Sequence, residues 1–180
     1  GGLTVTGNIV NDTGFSGGLT KDGTGTLTLA GNNTYTQDTN VNAGSLIVNG
    51  SITSSNVTVA NGASLGGSGT ISQSVTVQNG GTLSPGNSPD QIFTGDLDLN
   101  AGSTLLIDVL AATVGDGVTG YDQVVVAGGV DLADAMLQLV NGPHRPAFGS
   151  LLTIIDNDGA GDSVVGEFAG LPEGSLITLG

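Results

Sequence analysis

The sequence predicts an all-β protein built as a β-solenoid, and three observations carry that prediction. Apolar residues alternate with threonine in short runs, Thr26-Leu27-Thr28-Leu29, Val57-Thr58-Val59 and Val75-Thr76-Val77, the period-2 pattern of strands with one buried face. The phrases VNAGSL (41–46), VANGASL (59–65), VQNGGTL (77–83) and LNAGSTL (99–105) recur, with Val41, Val59, Val77 and Leu99 spaced 18, 18 and 22 residues apart. Gly44, Gly62, Gly80 and Gly102 keep the same intervals. A period of this length holds several short strands and glycine corners, and each coil lays its strands about 4.8 Å from those of the next. A hairpin sandwich competes as an all-β reading, but it gives no reason for one phrase to return at a fixed interval.

Composition agrees. The chain has 180 residues, 37% of them hydrophobic and only 10% charged, which suits a packed domain rather than a disordered one. Lys21 and Arg145 face 16 acidic residues, for a formal charge of -14. That field repels phosphate backbones and anionic membrane surfaces, so nucleic acid is excluded as a partner. The acids are uneven: Asp12, Asp22, Asp38 and Asp90 are the only ones in the first ninety residues. Cysteine is absent, which excludes disulfides and thiolate metal sites. No apolar run approaches the roughly 18 residues of a membrane helix, so no direct membrane insertion of this segment is expected. Residue 1 falls in mid-pattern, and the chain reads as a piece of something longer.

Taken in order, GTGTLTLAGNNTYTQDTNVNAGSL (23–46) supplies a strand whose Leu27 and Leu29 face a shared core, a corner at Asn32 and Asn33, and the first recurring phrase. Asparagine at equivalent corners predicts hydrogen-bonded ladders along the axis, with Tyr35 packing over an end or corner of the core. Ile52 and Val57 answer Ile71 and Val75. Asn49, Asn61 and Asn79 precede glycine as turn pairs. GTLSPGNSP (81–89) reads as a wide turn, because Pro85 and Pro89 cannot continue a central ladder. From residue 91 the strands lengthen, as in LLIDVL and AMLQLV. The division expected is regular coils over 1–90 and a less regular, cap-like subdomain over 91–180, sharing one core.

GGLTKDGTGTLTLAGNNTYTQDTNVNAGSLIVNG (17–50) resembles the passenger-associated repeat of bacterial autotransporters. The resemblance continues through GTLSPGNSP (81–89), STLLIDV (103–109), YDQVVVAGGVDLADAMLQLV (121–140), HRPAFGSLLTIIDNDG (144–159) and GEFAGLPEGS (166–175), phrases like those just ahead of the membrane barrel. It implies a right-handed parallel β-helix with a cap-like carboxy-terminal region, secreted through the outer membrane of a Gram-negative bacterium and displayed at its surface. It also implies that the last coils act as a folding nucleus, or autochaperone, whose partners are the other coils of the passenger and its barrel. Gln37-Asp38 stands where the family usually has glycines. The chain stops at SLITLG, short of strands that commonly follow in relatives, so an unpaired edge is expected there.

Side-chain chemistry is sparse. In DNDGAGD, Asp156, Asp158 and Asp162 alternate much as oxygen ligands do in a calcium loop, with Glu167 at a suggestive distance; Val164-Val165 intervenes, and a polar turn is the favoured reading. Asp96 and Asp98 flank Leu97 on one outward face and, with Asp108, offer carboxylates for glycoside hydrolysis; solvated acids on a strand explain them more simply. His144-Arg145, between Pro143 and Pro146, reads as a rigid connection with Arg145 paired to an acid. Asn32, Asn33, Thr34 and Tyr35 could bind sugar, but the corner role is preferred. A flat Thr-x-Thr face for ice is not expected, because Thr-Leu-Thr at 26–28 gives way to Val-Thr-Val at 57–59 and 75–77. No catalytic residue, metal or cofactor is assigned. The expected function is a noncatalytic stem and folding nucleus. The alternatives are an adhesin face for glycan or host protein and, weakest, a polysaccharide-processing enzyme.

Overall fold

A computed structural model describes residues 1–86, 89–115, 119–142, 146–147, 149–157 and 161–177. The described residues wind through seven coils. Coil one holds β1 (Gly2–Val5) and β2 (Leu19–Lys21); coil two β3 (Thr26–Leu29), β4 (Asn32–Asn33) and β5 (Thr39–Val41). Coil three holds β6 (Gly44–Val48), β7 (Ser51–Ile52) and β8 (Val57–Val59); coil four β9 (Ala63–Gly67), β10 (Thr70–Ile71) and β11 (Val75–Val77). Coil five holds β12 (Thr82–Pro85), β13 (Gln91–Thr94) and β14 (Leu97–Leu99); coil six β15 (Thr104–Val109), β16 (Gln123–Val126) and β17 (Val130–Asp131). Coil seven closes the series with β18 (Met136–Asn141), β19 (Ile155–Asn157) and β20 (Val164–Val165). Among the described residues there is no helix.

Stacking gathers the strands into three sheets: β1-β3-β6-β9-β12-β15-β18, then β4-β7-β10-β13-β16-β19, then β2-β5-β8-β11-β14-β17-β20. Every paired strand is parallel to its neighbour in the next coil. The all-β parallel solenoid read from the sequence is the architecture found, and all three sheets cross residue 90 without a break.

The sequence period becomes register. Val41, Val59, Val77 and Leu99 stand directly above one another in the third sheet, and Ile52 stands beside Ile71 in the second. The leucines that close the recurring phrase, Leu46, Leu65, Leu83 and Leu105, form a column that runs further than the phrase itself. Leu3, Leu27, Leu46, Leu65, Leu83, Leu105 and Leu137 occupy equivalent positions of all seven strands of the first sheet. The middle members are buried and only the outermost are open to solvent, Leu3 being 63% exposed. Burial of such a side chain contributes about 1.5–3 kcal/mol, so this column is a main tie between coils. Lys21 occupies the first position of the Val41 column. Its stem is buried, and its ammonium donates to the carbonyls of Asp22, Gly23 and Ala43 at 3.1, 2.6 and 3.0 Å. A long apolar stem with a polar tip can do both.

Glycine serves two different needs at the corners. Gly62, Gly80 and Gly102 have φ of 75°, 74° and 76°, the left-handed conformation L-residues avoid. Gly31, Gly50 and Gly69 instead stack so closely that a Cβ on Gly50 would run into the Gly31 carbonyl, and one on Gly69 into that of Gly50. At the corner before β18 the left-handed positions fall to Ala133 and Asp134, with φ of 39° and 62°.

Several local readings need correction. Asn32 and Asn33 form a strand, β4, not a corner, and Asn33 is fully buried. No asparagine ladder runs from it, because its successors in the column are Ile52, Ile71 and Thr94. Its amide caps the open end instead, donating to the carbonyls of Gly31 and Ser51 at 3.0 Å each and accepting the Ile9 N–H at 2.9 Å. Pro85 belongs to β12 as its last residue, paired with Gly67, rather than to a turn; on the other side β12 meets β15 only at Thr82 and Leu83, so the central ladder does stop short of the proline. Thr26-Leu27-Thr28 and Val57-Thr58-Val59 lie on different sheets, so their contrast says nothing about one face. On the first sheet Thr28 is followed by Ile47, Gly66 and Ser84, which breaks any Thr-x-Thr array. Gln37 and Asp38 are not in the left-handed region, so their corner does not require glycine. Tyr35 packs as expected: it is buried, and its hydroxyl meets Thr39 at 2.6 Å, which in turn meets Ser55 at 2.9 Å.

Candidate functional site

The corner between the first and second sheets is where the solenoid departs from regularity. In coils two to four it is turned by residues 30–31, 49–50 and 68–69; from coil five the strands it joins stand further apart in sequence, β12 ending at Pro85 and β13 starting at Gln91, β15 ending at Val109 and β16 starting at Gln123, β18 ending at Asn141 and β19 starting at Ile155. Solenoids place their inserted loops at one corner without disturbing the stack. The base of the coil-six excursion is fastened by Asp122, a fully buried carboxylate. Its oxygens accept the N–H of Asp90 and of Asp108, each at 2.9 Å. Its own N–H donates to the Asp108 carbonyl at 2.9 Å, and the Gln123 N–H to that of Asp90 at 3.1 Å. Burial pushes the Asp122 carboxyl up, the N–H bonds from Asp108 and Asp90 pull it back, and the charges of those two neighbours raise it again, leaving it at about 6. An amide chain continues along the axis, Gln91 Nε2 donating to Gln123 Oε1 at 2.5 Å and Gln123 Nε2 to the Thr153 carbonyl at 2.6 Å. The ladder expected of asparagines is made here by glutamines.

The acids singled out from the sequence are only partly brought together. Asp96 and Asp98 share the outer face of the third sheet, and Asp98 stands beside Asp131 in register. Together with Gly129, Val130, Ser163 and Val165 they line a shallow depression of about 160 Å³. Asp96 is committed to structure: it accepts Ser74 Oγ at 3.1 Å and the Gly129 N–H at 3.0 Å, stitching coil four to coil six. Asp98 accepts Thr76 Oγ1 at 3.4 Å. Asp108 lies on the first sheet, so no pair with Asp96 or Asp98 is formed across a common substrate.

Asp156 belongs to β19, opposite Val125, and Asp162 to the turn before β20; Asp158 lies outside the described residues. Glu167 Oε1 accepts the Glu173 N–H at 3.2 Å. Among the described residues no group of three or more His, Cys, Asp or Glu is placed to hold a metal ion. His144 and Arg145 also lie outside the described residues.

A groove that the sequence did not announce opens at the corner between the second and third sheets in coils one and two. It holds about 570 Å³ and is lined by Gly18, Thr20, Thr36, Gln37, Asp38 and Asn40. Thr20 and Asn40 are register neighbours pointing outward. The excursion over residues 10–18 packs along it through Asn11 Nδ2 to Thr36 Oγ1 at 2.7 Å and Gln37 Nε2 to Ser16 Oγ at 2.9 Å. Phe15, on that excursion, is 75% exposed. The lining residues come from two passages of chain, 18–20 and 36–40, brought together by stacking, which is why spacing along the sequence gave no sign of them.

With this geometry in view, residues 19–48, from β2 through β6, match the family described as Passenger-associated-transport-repeat. An extracellular serine protease of Serratia marcescens is 47% identical over 77 residues, 43% of this chain and 7% of that protein. A second Serratia marcescens extracellular serine protease is 49% identical over 61 residues, 34% of this chain and 6% of that protein. The Adhesin BmaC autotransporter of Brucella suis biovar 1 (strain 1330) is 43% identical over 74 residues, 40% of this chain and 2% of that protein. The matched stretches span less than a tenth of the length of each relative. The repeat and these similarities support an autotransporter passenger domain.

Proposed function

We propose that this chain is a noncatalytic stem and folding nucleus within a passenger that is secreted through, or displayed at, the outer membrane, its partners being neighbouring coils and the passenger's own barrel. The observation that supports this reading is continuous register: three parallel sheets run across residue 90, so that coil five presents β12, β13 and β14 to the strands of the preceding coil, β9, β10 and β11. A parallel edge with registered apolar columns is a template on which a further coil forms at lower entropic cost than it would alone. Backbone templating and apolar stacking, not a side-chain reaction, would then be the mechanism. Removing residues 91–180 from the full-length parent tests it, with refolding of the remainder and surface display as readouts. Both should fail; unimpaired folding and display would sink the proposal.

The polar groove favours a second reading, a neutral glycan subsite. Its hydroxyl and amide side chains both donate and accept, no Lys or Arg lines it to select an anion, and Phe15 offers an exposed ring for a sugar face. Titration of the intact chain with neutral oligosaccharides should show binding that Asn40→Ala weakens about tenfold, since an unpaired polar contact costs about 1–3 kcal/mol; equal binding by wild type and variant would remove the groove from consideration.

A further inference from the structure

Asp122 sits where three passages of chain meet: the approach to β13, the end of β15 and the start of β16. The charged groups that face it are Asp90 on the first and Asp108 on the second, both carboxylates. The residues on either side of it in the chain, Tyr121 and Gln123, are neutral and buried. Two backbone N–H groups make a good anion seat, but a seat with no exposed surface and two like charges beside it opposes the negative charge.

We propose that Asp122 is a proton-operated latch: proton uptake in mildly acidic medium tightens the joint between coils five and six at the base of the 110–122 excursion, and proton release at neutral pH loosens it. The latch acts on this corner because every bond it makes is local to it. Gln123 extends the same joint to coil seven through Thr153, so loosening spreads toward Thr153 rather than toward coils one to four.

The direction follows from linkage. Closed, the carboxyl has its pKa pushed up to about 6; in an opened joint it returns toward the ordinary value of 3.8. The closed joint therefore binds the proton more tightly than the open one. Its stabilisation is fully present below the ordinary value, is lost progressively as pH rises from there through about 6, and stays at its minimum above that.

Native-state hydrogen exchange on the intact chain tests the latch, read at the Asp90 and Asp108 amides after correction for intrinsic rates. Between pH 4.5 and pH 7.5 their protection should fall about 20-fold, while the Val57 and Val59 amides of coil three report any global change. In Asp122→Asn the excess fall at Asp90 and Asp108 should vanish. An equal fall in variant and wild type, or none in wild type, overturns the proposal. Should the variant not fold, carbon-detected titration of the wild-type Asp122 carboxyl decides: a midpoint near 6 supports the latch, and one below about 4.5 overturns it.

Discussion

Single residues in this protein are set by which column they occupy, and a few violate their column in informative ways. Thr94 continues Ile52 and Ile71 into the core, followed by Val126. Its Oγ1 is buried and has no hydrogen-bond partner. Thr94→Val keeps the shape and removes the orphaned hydroxyl, so denaturant unfolding should show a gain of about 1 kcal/mol; a loss would mean that the hydroxyl is satisfied in solution. Lys21 violates its column differently, covering the first of the valines with a methylene stem while its charge rests on backbone carbonyls. Neither role was legible in the sequence. Thr94 reads there as one more strand threonine, and Lys21 as a stray cation, because alternation does not say which coil a residue closes.

Elements are legible to the degree that coils keep one length. Val41, Val59, Val77 and Leu99 announce their stacking by spacing alone, and so fix three strands of the third sheet onto a fourth. The equally regular leucines of the first sheet were missed at their ends because the steps from Leu3 to Leu27 and from Leu105 to Leu137 enclose the excursions over 10–18 and 110–122. Asn32 and Asn33 were misread because a strand of two residues is too short to show alternation, so its polar residues resemble a turn. Asp122, the acid with the largest structural task, is hidden for a related reason: its partners lie 14 and 32 residues away. Corners can be tested as elements too. Gly50→Ala, which drives a Cβ into the carbonyls of Gly31 and Ala30, should cost about 1–3 kcal/mol as overpacking. Gly62→Ala meets nothing within 4 Å and should cost only the left-handed strain, about 1–2 kcal/mol. Equal behaviour on adding larger side chains at the two sites would show that close approach is not what Gly50 serves.

At the scale of the whole molecule, register makes the coil the unit of exchange. Deleting residues 46–64 and joining Ser45 to Leu65 removes one full turn and returns every following residue to its own face, since Leu46 and Leu65 are register partners. Thermal unfolding should remain cooperative, at a lower midpoint. Deleting residues 46–55 alone leaves the next strands on the wrong sheet and should abolish the transition, as turning core positions outward does in any sheet; a folded product would argue against a shared column of leucines. The direction of the hydrogen bonds has a mechanical consequence as well. Ladders joining one coil to the next lie along the axis, so a pull on the two ends loads them one after another instead of shearing them all together. Such a stalk gives way by peeling its outermost turn first and pays out slack turn by turn, a spring with many small yields rather than one large break.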